Sequence, residues 1–141
     1  ETIFNGEFVA FYGGRLITEE EAVGGDDMYY FATDHFYLHN DEILEMQTSE
    51  LNFYDALEFG NVSRFLNHSC EGNLVVVPMF TDQDNTEQNY RVGFFAERDI
   101  KPLEELTYNY GYQSKNNNQG DIEGRVMECL CGAKNCCGKL L

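Results

Sequence analysis

Four of the five cysteines lie within the last thirteen residues, and this cluster constrains the fold more than any other feature. The spacing Cys129-x-Cys131-x4-Cys136 is typical of thiolates that wrap one zinc ion. Cys137 follows directly and would strain such a chelate, so a fourth thiol has to come from a distance, and only Cys70 is left. The sequence therefore predicts that the tail folds back onto the segment around Cys70. Reduced thiols without a metal are the alternative, whereas an odd number of cysteines argues against a disulfide framework.

Composition and charge narrow the class of protein. The 141 residues are 43% hydrophobic, which is enough for a single compact core. Nine Lys and Arg against 25 Asp and Glu give a net charge of −16. We therefore expect no direct DNA binding by this region, because DNA affinity comes largely from neutralising phosphates. A basic peptide fits better, although acidic residues also form ordinary solvated faces.

Membrane insertion has no support in the sequence. No apolar run is long enough to span a bilayer, and no basic segment followed by an apolar one opens the chain. We therefore expect no membrane partner.

Apolar residues recur in short alternating runs, which predicts a mostly β fold. The runs are residues 7–12, 28–33, 74–80, 90–96 and 106–110. Thr18 and Glu21 have the spacing of a capping box and predict a short helix, and residues 61–66 predict another turn or two. Polar residues 81–89 predict a hairpin loop, and residues 113–124 predict a flexible linker.

Three segments share their order and spacing with a known family. They are Gly-Asn-Val-Ser-Arg-Phe-Leu-Asn-His-Ser-Cys at 60–70, Glu-Leu-Thr-Tyr-Asn-Tyr-Gly at 105–111 and the cysteine cluster at 129–138. Together they resemble the SET domain lysine methyltransferases with a post-SET zinc module, and are most similar to the heterochromatin-type histone lysine methyltransferases.

The resemblance implies small curved β-sheets, a C-terminal pseudoknot in which the chain passes under a preceding loop, and a post-SET zinc-binding tail. We accordingly expect a SET domain over residues 1–112, the linker over 113–124 and the post-SET module over 125–141. The Gly-x-Gly turn of the family should precede Gly6, so we expect the N-terminal strand pair to be missing.

The resemblance also implies an activity, namely S-adenosylmethionine-dependent methylation of lysine in a histone tail, with histone H3 as the expected substrate. It implies a nuclear, chromatin-bound protein in a chromatin complex, with S-adenosylmethionine and zinc as cofactors. Phe11 and Arg15 stand where acidic residues are common, which favours an alternative: an inactive SET-fold module that binds histone tails or scaffolds a chromatin complex. A purely structural zinc protein would require the matching segments to be coincidence.

The resemblance assigns roles residue by residue. Tyr110 matches the catalytic tyrosine, and Tyr108 matches a position that limits product methylation, which predicts mono- or dimethylation more readily than trimethylation. The cofactor-binding residues are Arg64, Phe65, Asn67 and His68. The zinc ligands are Cys70, Cys129, Cys131 and Cys136. The aromatic walls of the lysine channel are Tyr12, Tyr29 and Phe31, and each of these can instead be an ordinary core aromatic.

Overall fold

A computed structural model describes residues 1–25, 27–33, 52–79, 90–110 and 127–140. The chain divides into two compact units whose segments alternate along the sequence. The first unit comprises Glu1–Glu7, Leu66–Val75 and Ala96–Leu141, and the second comprises Phe8–Phe65 and Val76–Phe95. Within the described ranges, no helix is both long enough and apolar enough to cross a membrane.

The second unit contains short strands that belong to two sheets. Strand β1 (Phe8–Phe11) pairs with β7 (Arg91–Ala96), which lies beside β6 (Leu74–Met79). A separate three-stranded sheet has β4 (Asn52–Asp55) between β2 (Arg15–Thr18) and β3 (Tyr30–Ala32). The buried core of the second unit contains Ile17, Tyr90, Val92 and Phe94, each of which is at most 2% exposed.

The predicted helix begins where the capping pattern places it. Helix α1 (Glu19–Ala22) has Thr18 as its N-cap, and the Thr18 side chain accepts a hydrogen bond from the backbone of Glu21 at 3.3 Å. The Glu21 carboxylate accepts in return from the backbone of Thr18 at 3.0 Å. Residues 61–66 contain the second predicted turn as a 3₁₀ helix, Val62–Phe65. Both predictions are confirmed.

Each of the five predicted runs contains a strand, and in the four runs that lie wholly within the described residues the strand is shorter than the run. The run at 28–33 opens in a 3₁₀ helix, Asp27–Tyr29, before β3 begins at Tyr30. The run at 106–110 contains only β8 (Thr107–Tyr108). The predicted loop at 81–89 and linker at 113–124 lie outside the described residues.

A crossing of the chain organises the first unit. Strand β8 runs parallel to β5 (Asn67–His68) on one side and pairs with Leu74, the first residue of β6, on the other. The loop that joins β5 to β6 passes over β8, and Gly72 lies so close that an added Cβ would sit 2.6 Å from Tyr108 Cα. This crossing corresponds to the predicted pseudoknot, and the mostly β fold is confirmed.

The buried side chain of Asn73 stabilises this crossing through hydrogen bonds. Its side chain is only 2% exposed. Its amide nitrogen donates to the backbone oxygen of Glu105 at 2.8 Å, and its amide oxygen accepts from the backbone nitrogen of Thr107 at 2.9 Å. The Asn73 backbone nitrogen also donates to the Thr107 oxygen at 3.0 Å. Asn73 therefore fixes the backbone of the segment that leads into β8.

The tail forms a small hairpin in the same unit. Strands β9 (Met127–Glu128) and β10 (Lys139–Leu140) pair antiparallel, and Cys129 donates a backbone hydrogen bond to Gly138 at 3.1 Å. Gly132 and Gly138 have positive φ values of 69° and 74°, a conformation that favours glycine. The two strands of the hairpin therefore flank the cysteine cluster in the sequence.

We expect Asn73→Ala to lower the free energy of unfolding of the zinc-loaded chain by about 2 to 4 kcal/mol, because it leaves the Thr107 N–H and the Glu105 C=O without their partner. Chemical denaturation followed by circular dichroism measures the change. Asn5→Ala is the control, because the Asn5 residue is exposed. Equal stability of Asn73→Ala and wild type would show that these hydrogen bonds contribute no net stability.

Candidate functional site

Two of the tyrosines assigned by resemblance lie together in the first unit. The Tyr110 hydroxyl donates to the backbone oxygen of Leu66 at 2.5 Å, and its backbone N–H donates to Nδ1 of His68 at 3.1 Å. The ring centroids of Tyr108 and Tyr110 are 4.6 Å apart, and Tyr108 is 7% exposed. The Tyr110 side chain is thus held at both its base and its hydroxyl.

Strand β5 carries the next two predicted residues beside these tyrosines. His68 pairs with Tyr108 and Asn67 with Thr107 in the parallel register. The exposed Asn67 donates its amide hydrogen to the carboxylate of Glu105 at 2.7 Å. The pKa of His68 is lowered because partial burial disfavours the imidazolium. The neutral ring is the form to consider at neutral pH.

The middle of the chain and its tail meet at a group of potential metal ligands. The donor atoms of His68, Cys70, Cys129 and Cys131 all lie within 4.8 Å of one another. The sulfurs of Cys70 and Cys129 are 3.9 Å apart. Tetrahedral zinc with Zn–S bonds of about 2.3 Å requires sulfurs about 3.8 Å apart. The group therefore fits zinc in both donor chemistry and spacing.

Hydrogen bonds to sulfur favour thiolates at part of this group. Hydrogen bonds with the backbone at Cys70 and at Ala133 lower the pKa of Cys131 to about 6. A backbone hydrogen bond at Cys137 lowers the pKa of Cys70, but burial and the neighbouring thiols together raise it to about 12. A bound zinc ion takes the place of the thiol protons, because the form of cysteine that binds a metal is the thiolate.

The two adjacent cysteines of the tail are placed differently. The Cys136 thiol donates to the backbone oxygen of Cys129 at 3.7 Å, and its sulfur accepts from the backbone nitrogen of Gly138 at 3.4 Å. Cys136 is not among the four residues whose donor atoms lie within 4.8 Å of one another. The exposed Cys137 has its sulfur 3.7 Å from that of Cys70. The proximity of Cys137 to Cys70 is a feature that the cysteine spacing does not predict.

The three aromatic residues assigned to the lysine channel lie together in the second unit. Tyr12 is 7% exposed, and its hydroxyl donates to the backbone oxygen of Tyr29 at 2.7 Å. The ring centroids of Tyr12 and Phe31 are 5.1 Å apart. These contacts fit both a channel wall and an ordinary aromatic core, so the assignment stays a prediction.

Arg64 extends this aromatic group. Its guanidinium carbon lies 4.1 Å from the centroid of the Tyr29 ring and 5.2 Å from that of Phe65, distances at which a cation is attracted to an aromatic face. Its Nε is buried and has no hydrogen-bond partner among the described residues. Phe65 is 68% exposed. A buried donor beside an exposed ring is suited to an anionic or heterocyclic ligand.

Asn61 organises these residues and was missed from the sequence. Its amide nitrogen donates to the backbone oxygen of Phe11 at 2.8 Å, and its amide oxygen accepts from the backbone nitrogen of Gly13 at 3.2 Å. The same oxygen accepts from the backbone nitrogen of Ser63 at 3.1 Å. Asn61 thus ties both neighbours of Tyr12 to the 3₁₀ helix that carries Arg64. An Asn just before a helical turn is a signal that could have identified it.

Known proteins that are similar to this chain point to one family. The family model described as SET domain matches residues 1–111. A histone-lysine N-methyltransferase of Chlamydomonas reinhardtii, H3 lysine-9 specific SUVH3, is 45% identical over 94 residues, which are 62% of this chain and 10% of that protein. The curated relative is therefore about ten times as long as the part of it that matches.

Two solved structures match nearly the whole chain. Arabidopsis thaliana SUVH6 in complex with SAM has a TM-score of 0.75 at 31% identity, with 99% of this chain and 29% of that chain covered. KRYPTONITE in complex with mCHH DNA, H3(1-15) peptide and SAH has a TM-score of 0.73 at 32% identity, with 100% and 26% covered. With a family model that matches 111 of its 141 residues, the chain belongs to the SET domain family.

Proposed function

We propose that this chain is a protein lysine N-methyltransferase that uses S-adenosylmethionine and acts on a histone tail, with histone H3 as the substrate. The observation that carries the proposal is the parallel pairing of β5 with β8, which sets Asn67 and His68 beside Tyr108 and next to Tyr110. The names of the matched proteins support it, since they include an H3 lysine-9 specific methyltransferase and a complex with an H3 peptide.

The proposed reaction needs a neutral lysine. S-adenosylmethionine supplies a methyl group on a positively charged sulfur. A lysine with a pKa of about 10.4 is neutral in roughly one molecule per thousand near pH 7.4, a handicap of about 4 kcal/mol. An apolar, aromatic surround lowers that pKa because it disfavours the ammonium. The main tasks of the protein are therefore desolvation and alignment of the amine.

The side chains of the chain suit these tasks. Tyr110 is the proposed catalytic residue, because its hydroxyl is fixed by Leu66 and its ring packs against Tyr108. Tyr12, Tyr29 and Phe31 are proposed to bind the aliphatic stem and the ammonium of the substrate lysine through their aromatic faces.

The segment from Arg64 to His68 is the proposed cofactor-binding segment. The buried Nε of Arg64, which lacks a hydrogen-bond partner among the described residues, suits the carboxylate of the methyl donor. The exposed ring of Phe65 and the exposed amide of Asn67 offer an apolar face and a hydrogen-bond donor. The backbone of His68 is proposed to read the adenine edge.

We propose Cys70, Cys129, Cys131 and Cys136 as the zinc ligands. Zinc bound there supplies no chemistry to the methyl transfer; it joins the tail to the segment that carries Asn67 and His68. The partner is a basic histone tail, which the net charge of −16 favours. A nuclear location, membership of a chromatin complex and the absence of DNA binding by this region belong to the same proposal.

We expect Tyr110→Phe to lower the turnover of methyl transfer to an H3 tail peptide by about 100-fold or more, the usual cost of losing one hydroxyl donor at a reacting centre. Transfer of radiolabelled methyl groups measures the turnover. Tyr30→Phe is the matched control, because Tyr30 has no assigned role in the reaction. Wild-type chain that binds the tail but transfers no methyl group would favour the inactive module.

We expect Tyr108→Phe to shift the products toward trimethyllysine. The tyrosine hydroxyl can retain a water molecule in the space that an additional methyl group needs, and phenylalanine cannot. Mass spectra of the methylated peptide at matched total turnover measure the product distribution. The product assignment fails if wild type and variant give the same distribution.

We expect Cys136→Ser to weaken zinc binding more than about 100-fold, which exceeds the usual effect of removing an outer-shell partner. Cys137→Ser is the matched control one residue away, and it should keep one zinc ion per chain. Competition with a chromophoric chelator measures both affinities. If Cys137→Ser weakened zinc binding and Cys136→Ser did not, Cys137 would be the fourth ligand in place of Cys136.

A further inference from the structure

The imidazole of His68 lies between the metal-ligand group and Tyr110. Its Nε2 is 3.3 Å from the sulfur of Cys70, and its Nδ1 is 3.1 Å from the backbone nitrogen of Tyr110. The ring also meets the Tyr110 ring edge to face, with centroids 5.2 Å apart. Both ring nitrogens are therefore engaged, one at each end of the imidazole.

The partner at Nδ1 determines where the ring proton resides. A backbone N–H can only donate, so Nδ1 has to accept the hydrogen bond from Tyr110 with its lone pair. A neutral imidazole carries one proton, which then resides on Nε2. The Nε2–H group points at Cys70 and donates to its sulfur.

This tautomer decides between two possible sets of zinc ligands. A ring nitrogen of His68 lies within 4.8 Å of the sulfurs of Cys70, Cys129 and Cys131, and Nε2 is 3.3 Å from that of Cys70, so distance alone makes His68 a candidate ligand. A protonated Nε2 has no lone pair to offer to a metal ion. The fourth position is thus open to a thiol: that of Cys136 lies 3.7 Å from the backbone oxygen of Cys129, and the sulfur of Cys137 lies 3.7 Å from that of Cys70.

We propose that the His68 imidazole is a hydrogen-bonded bridge between the zinc-bound sulfur of Cys70 and the backbone of Tyr110, and that it is not itself a zinc ligand. His68 is then a positioning residue: the metal site orients the ring, and the ring fixes the base of the Tyr110 side chain. Donors to a ligand sulfur commonly hold that ligand in its binding orientation. The inference rests on the proposed zinc site and deepens the proposed function.

Magnetic resonance of the chain loaded with cadmium-113 tests the ligand set directly. We expect scalar couplings from the metal to the β-protons of Cys70, Cys129, Cys131 and Cys136, and none to the ring protons of His68. Long-range proton–nitrogen spectra should show an unprotonated Nδ1 and a protonated Nε2 for His68, identified by the signals that His68→Gln removes. A coupling from the metal to the His68 ring, or a protonated Nδ1, overturns the proposal.

Two conservative variants separate the ends of the bridge. In His68→Asn the amide oxygen can replace Nδ1 and accept from Tyr110, whereas in His68→Gln the amide nitrogen can replace Nε2 and donate to Cys70. We expect His68→Asn to transfer zinc to a chelator about 10- to 100-fold faster than wild type, with the Tyr110 amide still protected from hydrogen exchange. His68→Gln should keep zinc at close to the wild-type rate and lose protection at Tyr110.

The readouts also separate this inference from the proposed function. Metal content, couplings and amide exchange need neither methyl donor nor histone peptide, so they hold even if methyl transfer fails. Wild-type chain that binds no metal would refute the proposed zinc site and the bridge together. Metal binding with equal changes in His68→Asn and His68→Gln would refute the bridge alone.

Discussion

The insertion of β8 between β5 and the first residue of β6 is the constraint on which the first unit depends. Strands of two residues have no stability alone, so they persist only where several contacts reinforce them. The buried amide of Asn73 provides two of these, and the loop over Tyr108 can lie close because Gly72 has no side chain. This register sets the position of Tyr110, whose backbone N–H then reaches His68 and whose hydroxyl reaches the backbone of Leu66.

Local patterns made part of the architecture predictable. The capping box at Thr18 and Glu21 involves residues three apart, so its geometry is encoded within one turn. The alternation in residues 90–96 survives as β7, because Val92 and Phe94 face the core. The resemblance of the segments at 60–70 and 105–111 to the SET family located the part of the chain that carries Tyr110 and His68.

Features that depend on distant pairing were not predictable in this way. Strand β4 is half-buried along its whole length, so it lacks the alternation that marks a strand in sequence. In β2 the exposed Leu16 adjoins the buried Ile17, and the apolar pair hides the period. The Asn61 side chain hydrogen-bonds with residues 48 and 50 positions away in the sequence. No local sequence pattern indicates partners that are so far apart. The hydrogen bond between the His68 imidazole and the backbone of Tyr110 joins residues 42 positions apart and is hidden for the same reason.

The group of potential metal ligands has a consequence for biosynthesis. Cys70 and Cys129 are separated by 59 residues. At about 5 to 20 residues per second, the ribosome releases Cys70 about 3 to 12 seconds before Cys129. Throughout that interval Cys70 is the only cysteine in the nascent chain, and for most of it β5 lacks its partner β8, which follows about 40 residues later. The proposed zinc site can therefore close only after Cys129 has been synthesised.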